Sequence, residues 1–411
     1  VYFDLLILYV SMEKTLINSS KPALVLSGGG MKAAAFHIGV GLALEQSGLH
    51  ITQKNTKDLS FDSFIGSSAG SVIASFYAAG YSPQDVIYAF TQGKHQLDVT
   101  GALNLEPSQK LPALRYRDIF SLNDYSLPSL SWLSKLKLAN PTFTGGPESY
   151  LKKFVKFNGF FSTEKLGTYF EKNIFKEDST GFESLKKDLF IVATFLDEPE
   201  KAIFTKHKGP IIQTDHSKSP YINTVSVSKA LSASVALPVI FSPVKIQDNV
   251  FFDGEVRDSL NSHIALDHLS DLVIVSYSMQ PYKHTSEFGS LDKYGLPVII
   301  NQAIYQLIQQ KIINHKRHNK KVNSLLNDVE DMLFSELPKE KADKIFSEIQ
   351  KKYCPERGST VIYIHPSSTD HEMFFADHLS LSTKVLNKIV TIGFKSAMES
   401  LRTYKFKKAT K

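Results

Sequence analysis

Gly66-Ser67-Ser68-Ala69-Gly70 is the stretch that most constrains what this chain can fold into. It fits the Gly-x-Ser-x-Gly pattern, with Ser68 in the central place. The residues before it, Ser60-Phe61-Asp62-Ser63-Phe64-Ile65, suit a strand, and Ser71 to Ala79 suit a helix of small residues. A strand that turns sharply into a helix lifts the middle side chain out of the sheet and sets it on a helix N-terminus. Glycines flank it because such a turn needs unusual backbone angles and close approach. The exposed N–H groups at the helix start favour developing negative charge.

A second unit of the same kind comes first in the chain. Ala23-Leu24-Val25-Leu26 suits a short buried strand, Gly28-Gly29-Gly30 follows at once, and a helix is predicted from about Ala33 to Ser47. Two strand–turn–helix units in succession predict a parallel α/β sheet, whose ligands sit at the carboxyl ends of its strands. Further strands are predicted at Leu189–Phe195, Val250–Phe252, Leu272–Ser276 and Thr360–His365. Residues 296–350 read as helix-rich and basic, and a last helix is predicted from roughly Ser382 to Tyr404.

The apolar content of 42% and charged content of 21% are those of a folded globular chain. The formal charge of +6 is unevenly spread. Lys311, Lys316, Arg317, Lys320 and Lys321 form one cluster, and Lys405, Lys407, Lys408 and Lys411 another. Two readings stand: attraction to an anionic lipid surface or nucleic acid, or a solvated helix face and a frayed tail. No nucleic-acid-binding motif accompanies the charge.

One cysteine, Cys354, excludes an internal disulfide, which fits a reducing compartment or export without disulfides. The apolar run Val1–Val10 is interrupted by Asp4 and falls short of the roughly 20 residues that span a bilayer. No basic region precedes it, which argues against a signal peptide, and Met12 is a candidate natural start. The expectation is a soluble chain, cytoplasmic or exported without disulfides, meeting membranes only at their surface.

Residues 97–165 hold Pro107, Pro112, Pro128, Pro141 and Pro147, with Trp132 and many apolar side chains of poor periodicity. Such a segment reads either as a lid or as an ordinary packed insertion. The expected organisation is an N-terminal extension at 1–19 and a catalytic domain at 20–285 that includes a lid-like insertion at 97–165. The part from 286 to 411 is expected to return a strand (360–365) and a final helix to the same domain.

A serine hydroxyl needs a base to act as a nucleophile, and the attacked carbonyl needs donors for its oxyanion. Gly28-Gly29-Gly30 can supply those donors as backbone N–H groups at a helix start. A nucleotide phosphate loop competes, since Gly28-x-Gly30-x-x-Ala33 nearly fits a dinucleotide fingerprint. The acidic residue about 20 positions on and the Walker lysine followed by Ser or Thr are both missing. Asp253-Gly254 directly follows the predicted strand Val250–Phe252, which places a carboxylate at a sheet edge as a candidate base. The competing reading of Asp253 is a turn cap.

Together these elements resemble the patatin-like phospholipase family. The resemblance rests on Ser27-Gly28-Gly29-Gly30-Met31-Lys32-Ala33, Gly66-Ser67-Ser68-Ala69-Gly70 and Asp253-Gly254-Glu255, in that order. Ser232-Ala233-Ser234-Val235-Ala236-Leu237-Pro238-Val239-Ile240-Phe241 looks like the Ser-rich segment the family carries shortly before its aspartate. The likeness covers about residues 20–280.

It implies a three-layer α/β/α fold with a mostly parallel sheet. It implies a Ser68–Asp253 dyad without histidine, an oxyanion hole at Gly28, Gly29 and Gly30, and no metal or cofactor. The implied reaction is hydrolysis of fatty-acyl esters through an acyl-enzyme, as in a phospholipase A or lysophospholipase, with phospholipid or lysophospholipid as substrate.

Two positions depart from the patatin pattern. Ala33 stands where Gly is usual, which makes the turn similar to the cytosolic phospholipase A group. That likeness makes Lys32 a candidate for the substrate phosphate. Glu255 stands where Gly or Ala is commoner, and a second carboxylate there either perturbs Asp253 or points to solvent. An α/β-hydrolase triad is the alternative within esterases, with His365, His371 or His378 as the histidine. A patatin-like module that only binds lipid or protein is the alternative outside them.

Overall fold

Leu24 and Leu26 face one side of their strand and Ala23 and Val25 the other, and all four are buried in two separate clusters. Burial on both faces marks a strand inside a sheet covered by helices on both sides. The computed structural model describes residues 14–53, 55–94, 105–122, 158–175, 181–212, 219–257, 260–353 and 358–409. Residues 1–13, Cys354, Lys411 and the parts 97–104 and 123–157 of the predicted lid lie outside them.

The main elements, in chain order, are β1 (Thr15–Ser19), β2 (Pro22–Leu26), α1 (Gly30–Gln46), β3 (Ser63–Ser67), α2 (Ala69–Ala78), β4 (Asp188–Phe195), β5 (Lys201–Phe204) and β6 (Tyr221–Ile222). They continue with α3 (Val227–Ser234), β7 (Val244–Ile246), β8 (Asn249–Asp253), α4 (Ser262–Asp267), β9 (Leu272–Ser276), α5 (Leu296–Glu336), β10 (Thr360–Ile364), α6 (Thr383–Leu401) and β11 (Tyr404–Lys408).

A nine-stranded sheet runs in the order β6-β5-β4-β3-β2-β9-β10, with β8 also paired to β4 and β7 to β8. From β4 through β3, β2 and β9 to β10 the pairing is parallel, while β5 and β8 meet β4 antiparallel. The sheet is therefore mostly parallel, as predicted. One core cluster joins α1, α2, α3 and α6 to one face, and the other joins α4 and α5 to the opposite face, giving three layers. The amphipathic α6 packs along α1, and β10 pairs in register with β9.

The C-terminal tail differs from the frayed end that its lysines suggest. Residues Tyr404–Lys408 form β11 and pair parallel with β1. Lys405, Lys407 and Lys408 are exposed there, while Tyr404 and Phe406 pack against the core, so a period of two lies beneath the charge. Among the described residues no helix is long and apolar enough to cross a membrane.

Candidate active site

The chain turns from β3 to α2 at Ser68, whose φ of 50° and ψ of −128° lie outside the regions favoured by L-residues. The neighbours hold it there. A Cβ on Gly70 would come within 2.1 Å of Leu26 O, so only glycine lets the start of α2 approach β2 this closely. The Ser68 N–H donates to Ser234 Oγ at 3.0 Å, and Ser234 Oγ donates to Val192 O at 2.7 Å. The Ser-rich segment thus contributes a bracket for the turn.

Asp253 ends β8. Its backbone pairs with Ala193 of β4, while Ser67 at the end of β3 pairs with Val192. Both pairings use the same edge of β4, because β5 takes the other. The antiparallel β8 therefore continues the line that β3 leaves, and brings Asp253 to Ser68. Gly254 lets the chain escape, since a Cβ there would lie 2.1 Å from Val192 O.

Asp253 is 1% exposed. Burial pushes its carboxyl up to about 6, while the Ser68 hydroxyl and the Glu255 N–H pull it back down. Oδ1 accepts from Glu255 N–H at 2.8 Å. Oδ2 is buried and has no aligned donor. The Ser68 hydroxyl thus acts on the carboxylate by proximity, without a formed hydrogen bond.

Of the three glycines, Gly28 differs from the expectation. Its N–H donates to Glu255 Oε2 at 2.6 Å and is not available to a ligand. The N–H groups of Met31 and Lys32 are also taken, both by His378 O. Gly29 and Gly30 N–H donate to no described residue, and Gly30 lines the cavity over Ser68. Behind the turn, His37 Nε2–H donates to Ser27 O and Nδ1 accepts from Ser276 Oγ, each at 2.8 Å. Full burial lowers its pKa to about 4, so it stays neutral in that role. A single histidine in a run of small apolar residues gave no hint of this.

Ser68 opens into a cavity of about 620 Å³, part of it open to solvent. Its walls are apolar, with Val72, Leu114, Ile119, Phe120, Leu166 and Phe241 among them. Leu114, Ile119 and Phe120 come from the predicted lid segment. Phe120 stacks on Phe241 at 5.5 Å.

A family model described as patatin-like phospholipase matches residues 24–266, more than half of the chain. The chain belongs to the patatin-like phospholipase family. The match takes in the glycine turn, Ser68 and Asp253 together. "Probable lipid hydrolase 463L" of Invertebrate iridescent virus 6 is 24% identical over 250 residues, covering 59% of this chain and 62% of that protein. The match thus spans less than two thirds of that relative's length. "Uncharacterized protein R571" of Acanthamoeba polyphaga mimivirus is 26% identical over 295 residues, 70% of this chain and 74% of the other. Among solved structures, VipD from Legionella pneumophila aligns over 96% of this chain and 71% of that one, at 16% identity and a TM-score of 0.37.

In this patatin-like chain Lys32 does not face the cavity, contrary to the phosphate role expected of it. It is 1% exposed, and Nζ donates to Tyr305 Oη at 2.8 Å and Met373 O at 3.1 Å. Desolvation brings its pKa down to about 7, with Asp377 opposing. The Tyr305 hydroxyl in turn reaches His378 Nε2 at 3.1 Å, and His378 Nδ1 meets Gly29 O at 3.4 Å. Lys32 therefore supports the glycine turn from behind, through Tyr305 and His378.

The histidines of the alternative triad are also accounted for. His365 follows β10, three strands from β3 and roughly 14 Å across the sheet at the usual strand spacing. It packs on Tyr277 at 4.9 Å. His371 lies against Phe288 and Tyr282. None of the three is a partner of Asp253 among the described residues.

Proposed function

We propose that the chain is a lipid acyl hydrolase, of the phospholipase A or lysophospholipase kind, working through Ser68 and Asp253. The observation that carries this is the meeting of β3 and β8 on one edge of β4, which sets a buried carboxylate of raised pKa beside the serine of a strained elbow. Ser68 Oγ attacks the ester carbonyl and its proton passes to Asp253. The N–H groups of Gly29 and Gly30 receive the developing oxyanion. The alcohol or lysolipid leaves with the proton, and water, deprotonated by Asp253, releases the fatty acid.

The apolar cavity favours an acyl chain over a polar substrate. Exposed apolar side chains stand on elements that border it: Leu237 at 37% and Val239 at 70% on the segment before β7, with Tyr116, Leu122 and Phe160 on the lid side. Such a rim suits a substrate drawn from a membrane or micelle surface. The relative described as a probable lipid hydrolase supports the same class.

The deciding experiment is lipid product analysis of the purified protein beside its Ser68→Ala variant, with fluorophosphonate labelling of Ser68. Free fatty acid and lysolipid should form only with the parent protein. No turnover on any phospholipid, lysophospholipid or p-nitrophenyl ester, together with no labelling, would leave a binding module instead.

A further inference from the structure

We propose that Glu255 is a positioning residue which holds the glycine turn at the nucleophile elbow and so sets the oxyanion donors. Glu255 is 9% exposed, and its carboxyl group bridges two elements that carry the site. Oε2 accepts the Gly28 N–H at 2.6 Å from the glycine turn and the Ser67 hydroxyl at 2.7 Å from the elbow. The same residue's N–H donates to Asp253 Oδ1 at 2.8 Å. One residue thus touches the turn, the elbow and the base.

Both side-chain contacts are short and bring an N–H donor and an O–H donor to one oxygen. Space forces the arrangement as well. A Cβ on Gly28 would come within 2.8 Å of the Ser68 Cβ and 3.0 Å of the Glu255 Cβ and Cγ. Gly28, Ser68 and Glu255 therefore share one tightly filled volume, and Glu255 cannot move without freeing the turn.

The chemistry follows from which donors are used up. With Gly28 N–H fixed to Glu255, the hole is left to Gly29 and Gly30, whose peptides follow directly from the pinned one. Fixing Gly28 fixes their aim. A misplacement of about 1 Å in such a donor set costs on the order of 100-fold in rate. Glu255 acts equally before and during the reaction, so it lowers the barrier by holding geometry and not by binding substrate.

This inference rests on Ser68 being the nucleophile, and the test separates the two. Glu255→Ala and Glu255→Gln are assayed with a soluble short-chain p-nitrophenyl ester, with active sites counted by fluorophosphonate titration. Labelling of Ser68 in the parent protein settles the nucleophile independently. Glutamine keeps a carbonyl oxygen for Gly28 N–H and the Ser67 hydroxyl. Glu255→Ala should lower kcat per titrated site by about 10- to 100-fold, with KM within about threefold and the labelling rate falling in step. Glu255→Gln should recover to within about fivefold of the parent. Parent-like kcat in the alanine variant would overturn the proposal. So would a glutamine variant as slow as alanine despite unchanged thermal stability. If the alanine variant fails to fold, the glutamine variant alone still decides: at a tenth or less of parent kcat per titrated site, the proposal fails.

Discussion

Ser67 and Asp253 pair with consecutive residues, Val192 and Ala193, along the same edge of β4. Ser67 ends a parallel strand and Asp253 ends an antiparallel one, so the two chains meet head-on at the edge. The meeting point is where Ser68 leaves the sheet. No loop has to carry the carboxylate to the serine, and the register of three strands fixes their separation. Buried sites set by strand register hold their geometry better than sites set by loops.

Substitution tests the proposed Ser68–Asp253 dyad directly. Ser68→Ala and Asp253→Asn should each reduce turnover of a soluble ester by at least about 1,000-fold, since the residues of such a unit fail together. His365→Ala should stay within about twofold of the parent. Initial rates on purified variants check this. A collapse in the histidine variant with an active Asp253→Asn protein would return the chain to a triad.

The raised pKa of Asp253 adds a pH dependence of known sign. In the proposed dyad the base works as a carboxylate, so kcat/KM should rise with pH around a midpoint of about 6 and then level off. Stability runs the opposite way. The folded pKa lies above the ordinary 3.8, so this group's contribution is complete at low pH and is lost as pH rises through about 6. The shift corresponds to about 3 kcal/mol as an upper bound. Asp253→Asn should therefore stabilise the protein at pH 8 and do little at pH 4, as read by denaturant unfolding at both values.

The strands and the elbow were legible because their signals are local: apolar runs, paired glycines and a helix of small residues. The order of motifs also placed Ser68 and Asp253. Lys32 misled because a lysine beside a glycine turn looks like an anion ligand. Only the three-dimensional packing of Tyr305, 273 positions away, shows that the side chain turns into the core. Glu255 could not be read either, since whether a second carboxylate faces solvent or a backbone N–H depends on β8 meeting β3. The strand β11 was hidden because its outward lysines dominate a five-residue pattern.

Lys32→Met should leave the ratio of kcat/KM for a phospholipid to that for an uncharged ester within about twofold, because Nζ faces Tyr305 and not the cavity. The depressed pKa of Lys32 makes its charged form a cost below pH 7 that eases as pH rises toward 10.5. The loss in stability on substitution should therefore be smaller at pH 6 than at pH 9. Thermal unfolding at the two pH values reads that difference.

The close approaches at the elbow forecast a severe backbone effect. Gly70→Ala and Gly254→Ala each place a methyl about 2.1 Å from a carbonyl oxygen of a central strand, Leu26 and Val192. Neither oxygen belongs to a flexible side chain, so the sheet itself has to shift. Each should cost about 3 kcal/mol, at the top of the usual range for overpacked cores. Gly181→Ala, which meets nothing within 4 Å, is the matched control and should fall within about 1 kcal/mol of the parent.

Under the proposed function, the walls of the cavity set a dependence on acyl-chain length. Phe120 stacks on Phe241 and both border the space above Ser68. In that proposed role, an acyl chain long enough to reach them would lose water-exposed area against both rings, whereas an acetyl group would end before them. Phe120→Ala removes one wall, worth about 1.5–3 kcal/mol of apolar contact. The rate constant kcat/KM for a long-chain p-nitrophenyl ester should fall about 10- to 100-fold, while that for p-nitrophenyl acetate stays within about threefold. Phe120 is half-buried and borders the cavity, so its loss leaves the elbow and Asp253 in place. An equal fall for both esters would mean that the ring supports the site and does not hold the chain.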